Sequence, residues 1–95
     1  MEYQETDRIY RANGEIERVE PKNGKDYKLE ELQTIVDGLI EISAPNENGF
    51  VMVMNEEGKF TKPINPRATQ WYRTHIYKGD FICGDVLICK TERIK

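Results

Sequence analysis

Residues 81–90 read FICGDVLICK, a nearly continuous apolar stretch that is interrupted at Gly84-Asp85. Strands that are covered on both faces have this composition, because neither face meets water. A glycine inside such a strand marks a bulge or the close approach of another backbone. The stretch therefore predicts a central strand of a sheet.

A helix is predicted just before this strand, beginning at Asn65-Pro66. Asparagine caps a helix by accepting from free backbone N–H groups, and proline suits the first helical position. An apolar stripe at helical spacing follows, made of Ala68, Trp71, Tyr72, His75 and Ile76. The stripe predicts that Trp71 packs in the core rather than standing in solvent.

Two hairpins are predicted. Phe50–Met54 (FVMVM) reads as a strand close to the central one. The turn residues 55–58 (NEEG) follow it, and Lys59-Phe60-Thr61 would return as its partner strand. In the first half of the chain, Asn13-Gly14 lies between two β-prone runs within residues 8–20 and favours a type I′ turn.

A second helix is predicted within residues 27–39 (YKLEELQTIVDGL), which carry an apolar stripe at helical spacing. We expect Asp26 to cap its N-terminus, because the side chain of Lys28 offers no acceptor. Gly38 is expected to adopt the left-handed conformation that ends the helix. A short strand, Leu39–Ser43, would follow directly.

Together these elements predict an α+β fold, with a curved, mostly antiparallel sheet of about four to six strands and two helices packed on it. A chain of 95 residues and 11.1 kDa fits a single domain over residues 1–95. Its apolar runs are too short for a transmembrane helix, and the acidic start MEYQETDRIY has no secretory h-region. We therefore expect a cytoplasmic protein with no membrane partner.

Charge is distributed unevenly along the chain. The net charge of −3 and the pI near 5.2 argue against the basic footprint of a duplex-DNA-binding protein. Residues 1–58 hold 6 Lys/Arg and 14 Asp/Glu, whereas residues 59–95 hold 8 and 3. The second half therefore permits a local basic face.

The chain carries no recognisable catalytic or phosphate-binding motif. Two cysteines, Cys83 and Cys89, with the single His75 are too few for a structural zinc site. In a straight strand the two thiols would lie roughly 20 Å apart, too far for a disulfide. We expect buried, packed cysteines, no enzymatic activity and no cofactor.

A candidate partner surface is predicted on the helix that follows Asn65, where Arg67, Gln70, Arg73 and Lys78 form a basic patch. Such a patch suits a phosphate or an acidic partner, although a solvated helix face has the same composition. Asn55 and Glu56 complete the candidate surface. Turn geometry alone would also account for Asn55.

Three segments can be compared together: LEELQTIVDGLIEI at residues 29–42, MNEEGK at 54–59 and GDVLI at 84–88, with Pro63, Asn65 and Ala68-Thr69 between them. In this combination they resemble an uncharacterised domain family of phage, conjugative-element and gut-bacterial proteins. The resemblance covers about residues 9–90 and implies an accessory protein of a mobile element in the host cytoplasm, without a mechanism. The matched side chains that a generic fold does not demand are Gln33, Glu41, Asn55 and Thr69.

These features favour a small non-enzymatic module that binds another protein, as an accessory of a mobile element or of its bacterial host. The alternative is a nucleic-acid-binding protein that uses the basic helix face of Arg67, Arg73 and Lys78. Free sheet edges would also allow the chain to form a homodimer.

Overall fold

The computed structural model describes residues 6–43, 49–75 and 79–94 of the chain. The predicted positions of Ile76 and Lys78, and the side chain of His75, lie outside this description, as do residues 44–48 after the strand predicted at 39–43.

Within these residues, five strands form one sheet in the order β2-β1-β5-β4-β3, and each neighbouring pair is antiparallel. The strands are β1 Asp7–Tyr10, β2 Ile16–Val19, β3 Ile40–Ser43, β4 Phe50–Asn55 and β5 Val86–Lys90. The helices are α1 Leu29–Val36, α2 Gly58–Thr61 and α3 Pro66–His75, and a 3-10 turn spans Thr91–Arg93. The predicted α+β class is confirmed.

The sheet carries a helix on each face. On one face α1 packs through Leu32 and Val36 into a core cluster with alternate residues of β4 and β5, which are Val51, Val53, Leu87 and Cys89. On the other face Ala68 of α3 packs into a cluster with Met52, Met54, Val86 and Ile88. Because both faces of β5 are covered, its residues 86–89 are all buried. The predictions of a central strand, and of FVMVM beside it, are confirmed.

The central strand is shorter than predicted. β5 begins at Val86, and before it Cys83 makes an isolated bridge to Ile64. Gly84 has φ +87°, a conformation that side chains disfavour, and a Cβ there would lie 3.2 Å from Lys62 Cβ. The glycine thus turns the chain where Lys62 packs closely against it.

The prediction of a hairpin after FVMVM is wrong. The partner of β4 is the preceding strand β3, and residues 58–61 form the short helix α2 instead of a returning strand. Asn55 Oδ1 accepts from Glu57 N (2.7 Å), and Thr61 Oγ1 donates to Glu57 O (3.3 Å). These local hydrogen bonds offer the backbone an alternative to a second ladder.

The N-terminal hairpin is confirmed, but its turn is not type I′. That turn type needs positive φ at both central residues, and here Gly14 alone of the pair has it, at +99°. Gly14 N donates to Arg11 O (2.9 Å) and Arg11 N to Glu15 O (2.8 Å). The loop is therefore longer than two residues.

Both expected ends of α1 need correction. Lys28 occupies the N-cap position without a side-chain bond, while Asp26 accepts from Asn23 Nδ2 (3.1 Å). At the other end Asp37, not Gly38, has left-handed helical angles, φ 62° and ψ 53°. Gly38 follows with φ +152° and donates its N–H to Gln33 O (3.1 Å).

The start of α3 is as predicted. Asn65 is fully buried, and its Oδ1 accepts from Ala68 N (3.0 Å). Its Nδ2 donates to Tyr10 O and to Gly84 O, both at 2.8 Å. One side chain therefore caps the helix and ties it to β1 and to the turn before β5.

None of the helices in the described residues is long and apolar enough to cross a bilayer.

Candidate functional site

The predicted partner surface divides between two elements. Arg67, Gln70 and Arg73 are exposed on α3, and Arg73 Nε donates to Asp80 O (2.8 Å). Asn55 and Glu56 lie instead at the end of β4. Lys78 lies outside the described residues.

Asn55 is used by the fold. Its Nδ2 donates to the carbonyl oxygens of Val36 (3.1 Å) and Asp37 (3.0 Å), where α1 ends. Since its Oδ1 is bonded to Glu57, the amide is occupied on both sides. Thr69 has a similar role, because its hydroxyl accepts from Ile82 N (2.9 Å) and lies 3.3 Å from Ile82 O. Asn55 and Thr69, which a generic fold would not require, therefore both have structural roles in this protein.

A surface that includes Glu56 carries two exposed aromatic rings among charged side chains. It consists of Phe60, Phe81, Lys59, Glu41 and Glu56, and we call it the Phe60 surface. These residues line a cavity of about 120 Å³, which Met54 and Cys83 also line. Phe60 is 88% exposed as a residue, and Phe81 is 40% exposed.

Backbone packing fixes the position of this surface. A Cβ on Gly58 would lie 2.7 Å from Cys83 O, so only glycine lets α2 approach the residues before β5 so closely. Lys59 Nζ lies 5.2 Å from the centroid of the Phe81 ring and pairs with Asp80 Oδ1. The hydrogen bond from Lys59 lowers the pKa of the Asp80 carboxyl, which also accepts from Phe81 N (2.8 Å).

The Phe60 surface was not predicted, because Phe60 belongs to the predicted strand Lys59-Phe60-Thr61. The available signal was Pro63, which cannot donate to a ladder and leaves little length for a strand after Gly58.

The two thiols are buried and free. Burial raises the pKa of the Cys89 thiol to about 12, with a further contribution from the charge of Asp7, and burial also raises the pKa of Cys83. An activated cysteine nucleophile needs the opposite shift. Among the described residues, no three His, Cys, Asp or Glu side chains come together as a metal site.

A buried polar cluster was also not predicted. Asp7 is 2% exposed and accepts from Tyr27 Oη (2.7 Å) and from Lys90 N (3.1 Å). Arg93 Nε lies 3.1 Å from Asp7 Oδ2, an ion-pair distance without hydrogen-bond geometry. Burial, and then the bond to Asp7, raise the pKa of Tyr27. The cluster ties β1, β5 and the start of α1 together.

Comparison with known proteins gives one match. No curated protein and no solved structure matches this chain. A family model does match it, over residues 8–94, which include all five strands except the first residue of β1. The chain therefore belongs to the family described as "Domain of unknown function (DUF3846)".

Proposed function

We propose that this protein is a non-enzymatic module that binds another protein through the Phe60 surface. The observation that carries the proposal is the 88% exposure of Phe60 beside a second exposed aromatic ring and a cavity. Phe, Tyr and Trp side chains contribute a large share of the binding energy at protein interfaces, because each buries a large apolar area. Phe60 makes little contribution to the core, so its burial by a partner would release a large apolar area from water.

The cavity indicates what kind of group would enter it. At about 120 Å³ it is smaller than the pockets of about 300 Å³ or more that hold drug-sized ligands, and it suits one side chain. Glu41 and Glu56 lie at its edge, while the charge of Lys59 is offset by Asp80. A partner with an apolar side chain flanked by Lys or Arg is therefore favoured.

The biological setting of the proposal comes from the family resemblance. Because the sequence resembles a family of phage, conjugative-element and gut-bacterial proteins, we propose that this module acts in the cytoplasm as an accessory of a mobile element or of its host. No cofactor enters this proposal.

The experiment compares proteins captured from a bacterial lysate by the wild type, by Phe60→Ser and by Leu29→Ser. Leu29 is the matched control, since it is 56% exposed at the start of α1. We expect a partner whose capture falls at least tenfold with Phe60→Ser and persists with Leu29→Ser. Identical captured sets for all three proteins would contradict the proposal. Sedimentation of the same variants shows whether the partner is a second copy of the chain.

The second candidate is nucleic-acid binding through α3. It is favoured by a helix that contains no Asp or Glu and exposes Arg67 and Arg73. Arg67→Ala with Arg73→Ala should abolish such binding and its salt dependence. Lys22→Ala with Lys25→Ala removes the same charge from an exposed turn and should leave the binding unchanged. Binding that does not weaken with salt would exclude this candidate.

A further inference from the structure

A group of cations lies at one end of the sheet, away from the residues of the Phe60 surface. A cavity of about 350 Å³ is lined there by Arg18, Lys90 and Arg93, together with Asp7 and Glu20. Asp7 already faces Tyr27, Lys90 N and Arg93, so its charge is largely compensated. Glu20 is exposed. Unlike Asp7, it has no hydrogen-bond or ion-pair partner among the described residues.

Strand register adds a fourth cation beside this cavity. Arg8 of β1 pairs with Arg18 of β2, so both side chains project from the same face of the sheet. Like charges directly opposite each other on a sheet are unfavourable. The charge of the neighbouring Arg11, in contrast, is compensated by ion pairs with Glu17 and Asp85, each at 2.8 Å. Within the described residues Arg8, Arg18 and Lys90 form no ion pair.

Two guanidinium nitrogens in this region are buried without an acceptor. They are Arg8 Nε and Arg93 Nε, the latter held near Asp7 without hydrogen-bond geometry. Buried donors in proteins are almost always satisfied, and an unsatisfied one can mark the site of an ion. Neither nitrogen has appreciable accessible surface, and Asp7, which holds Arg93, projects from the opposite face of β1 to Arg8, so these two donors do not face one open site. The observations that point to an anion are the like-charged Arg8–Arg18 pair and Lys90, none of which forms an ion pair within the described residues.

We propose that this end of the sheet binds a phosphate group through Arg18, Lys90 and Arg93, which line the cavity, with Arg8 adding positive charge from its position opposite Arg18. The planar guanidinium fork matches phosphate oxygens in two-pronged contacts, and a doubly charged phosphate offsets more positive charge than a carboxylate does. The phosphate could belong to a free nucleotide or to a nucleic-acid backbone. The inference goes beyond protein binding and rests neither on the Phe60 surface nor on α3.

The test is an amide NMR titration of the full chain with pyrophosphate, with ADP and with a ten-nucleotide single-stranded DNA. We expect saturable shifts that are largest at Arg8, Arg18 and Lys90. Arg18→Gln should weaken binding at least fivefold, since Arg18 is exposed and its loss leaves the fold intact. Arg8→Gln is the second variant, and its fold is checked by the unperturbed amide spectrum.

Arg67→Gln is the control, because it removes the same charge from α3. Saturation by pyrophosphate and ADP identifies a free phosphate ligand, whereas saturation by DNA alone identifies a nucleic-acid backbone. No saturable shift with any of the three probes, or an equal loss with Arg67→Gln, would overturn the proposal. Phe60→Ser should bind the phosphate probes as the wild type does. The phosphate proposal can therefore hold even if the Phe60 surface binds no protein.

Discussion

A Cβ atom on Gly38 would lie 2.6 Å from Asn55 Nδ2. That nitrogen cannot move away freely, because it donates to Val36 O and Asp37 O while Asn55 Oδ1 accepts from Glu57 N. Gly38 also has φ +152°, which a side chain would strain. The close packing of Gly38 against the Asn55 amide thus holds the end of α1 against the turn after β4.

Gly38→Ala should therefore destabilise the protein by about 2–3 kcal/mol, because backbone strain and the displaced Asn55 amide add together. The control is Gly14→Ala, since Gly14 has φ +99° and nothing within 4 Å of the added Cβ. It should cost only the strain, about 1 kcal/mol. Urea unfolding measures both, and equal losses would show that the contact with Asn55 does not matter.

Asn65 gives a second prediction. Asn65→Ala removes the cap of α3 and the hydrogen bonds that Asn65 Nδ2 donates to Tyr10 O and to the buried Gly84 O. We expect a loss of roughly 3 kcal/mol in the free energy of unfolding. Asn65→Asp keeps an acceptor for Ala68 N but sets a carboxylate against the two carbonyls, so it should cost at least as much.

Asn13→Ala is the comparison for Asn65, because Asn13 Oδ1 also accepts from a backbone N–H, that of Glu15 (2.9 Å), on an exposed turn. It should cost about 1 kcal/mol or less. A loss below 1 kcal/mol for Asn65→Ala would contradict the role assigned to the buried amide.

Local chemistry explains why part of the fold was predictable. The apolar run of β5 and the Asn65-Pro66 start of α3 depend on neighbouring residues, and both predictions are confirmed. The strand predicted at residues 59–61 is wrong although Pro63 already limited its length, and the position of α2 also depends on a distant contact. Gly58 packs against Cys83 O, and the sequence does not show that these two residues meet.

The candidate sites were harder to predict for the same reason. Arg8 and Arg18 face each other only after the β1–β2 register is set, and Lys90 joins them only because β5 lies next to β1. No local motif marks such a grouping. The predicted residue Asn55, in contrast, was visible in the sequence, but its amide serves the fold.

Alkaline pH should destabilise the protein through Cys89. Burial raises the pKa of this thiol to about 12, whereas an unfolded cysteine ionises near about 8.5. The unfolded chain therefore releases its proton first as pH rises, so the free energy of unfolding falls between about pH 8.5 and about 12. From pH 8 to 10.5 we expect the wild type to lose about 2 kcal/mol more than Cys89→Ala. Parallel pH profiles of the two proteins in urea unfolding would show that Cys89 ionises normally in the folded state.

Arg18→Gln should stabilise the unliganded protein, in contrast to the other substitutions. It removes the charge opposite Arg8, and relief of a like-charge cross-strand pair is worth about 0.2–1 kcal/mol. The gain should shrink in 0.5 M salt, since screening weakens the repulsion, and it should be absent in Arg67→Gln on α3. Urea unfolding at two salt concentrations measures these effects. A loss of stability in Arg18→Gln would mean that the arginine serves the fold. A gain in stability together with weaker phosphate binding would show that Arg18 destabilises the sheet and contributes to phosphate binding.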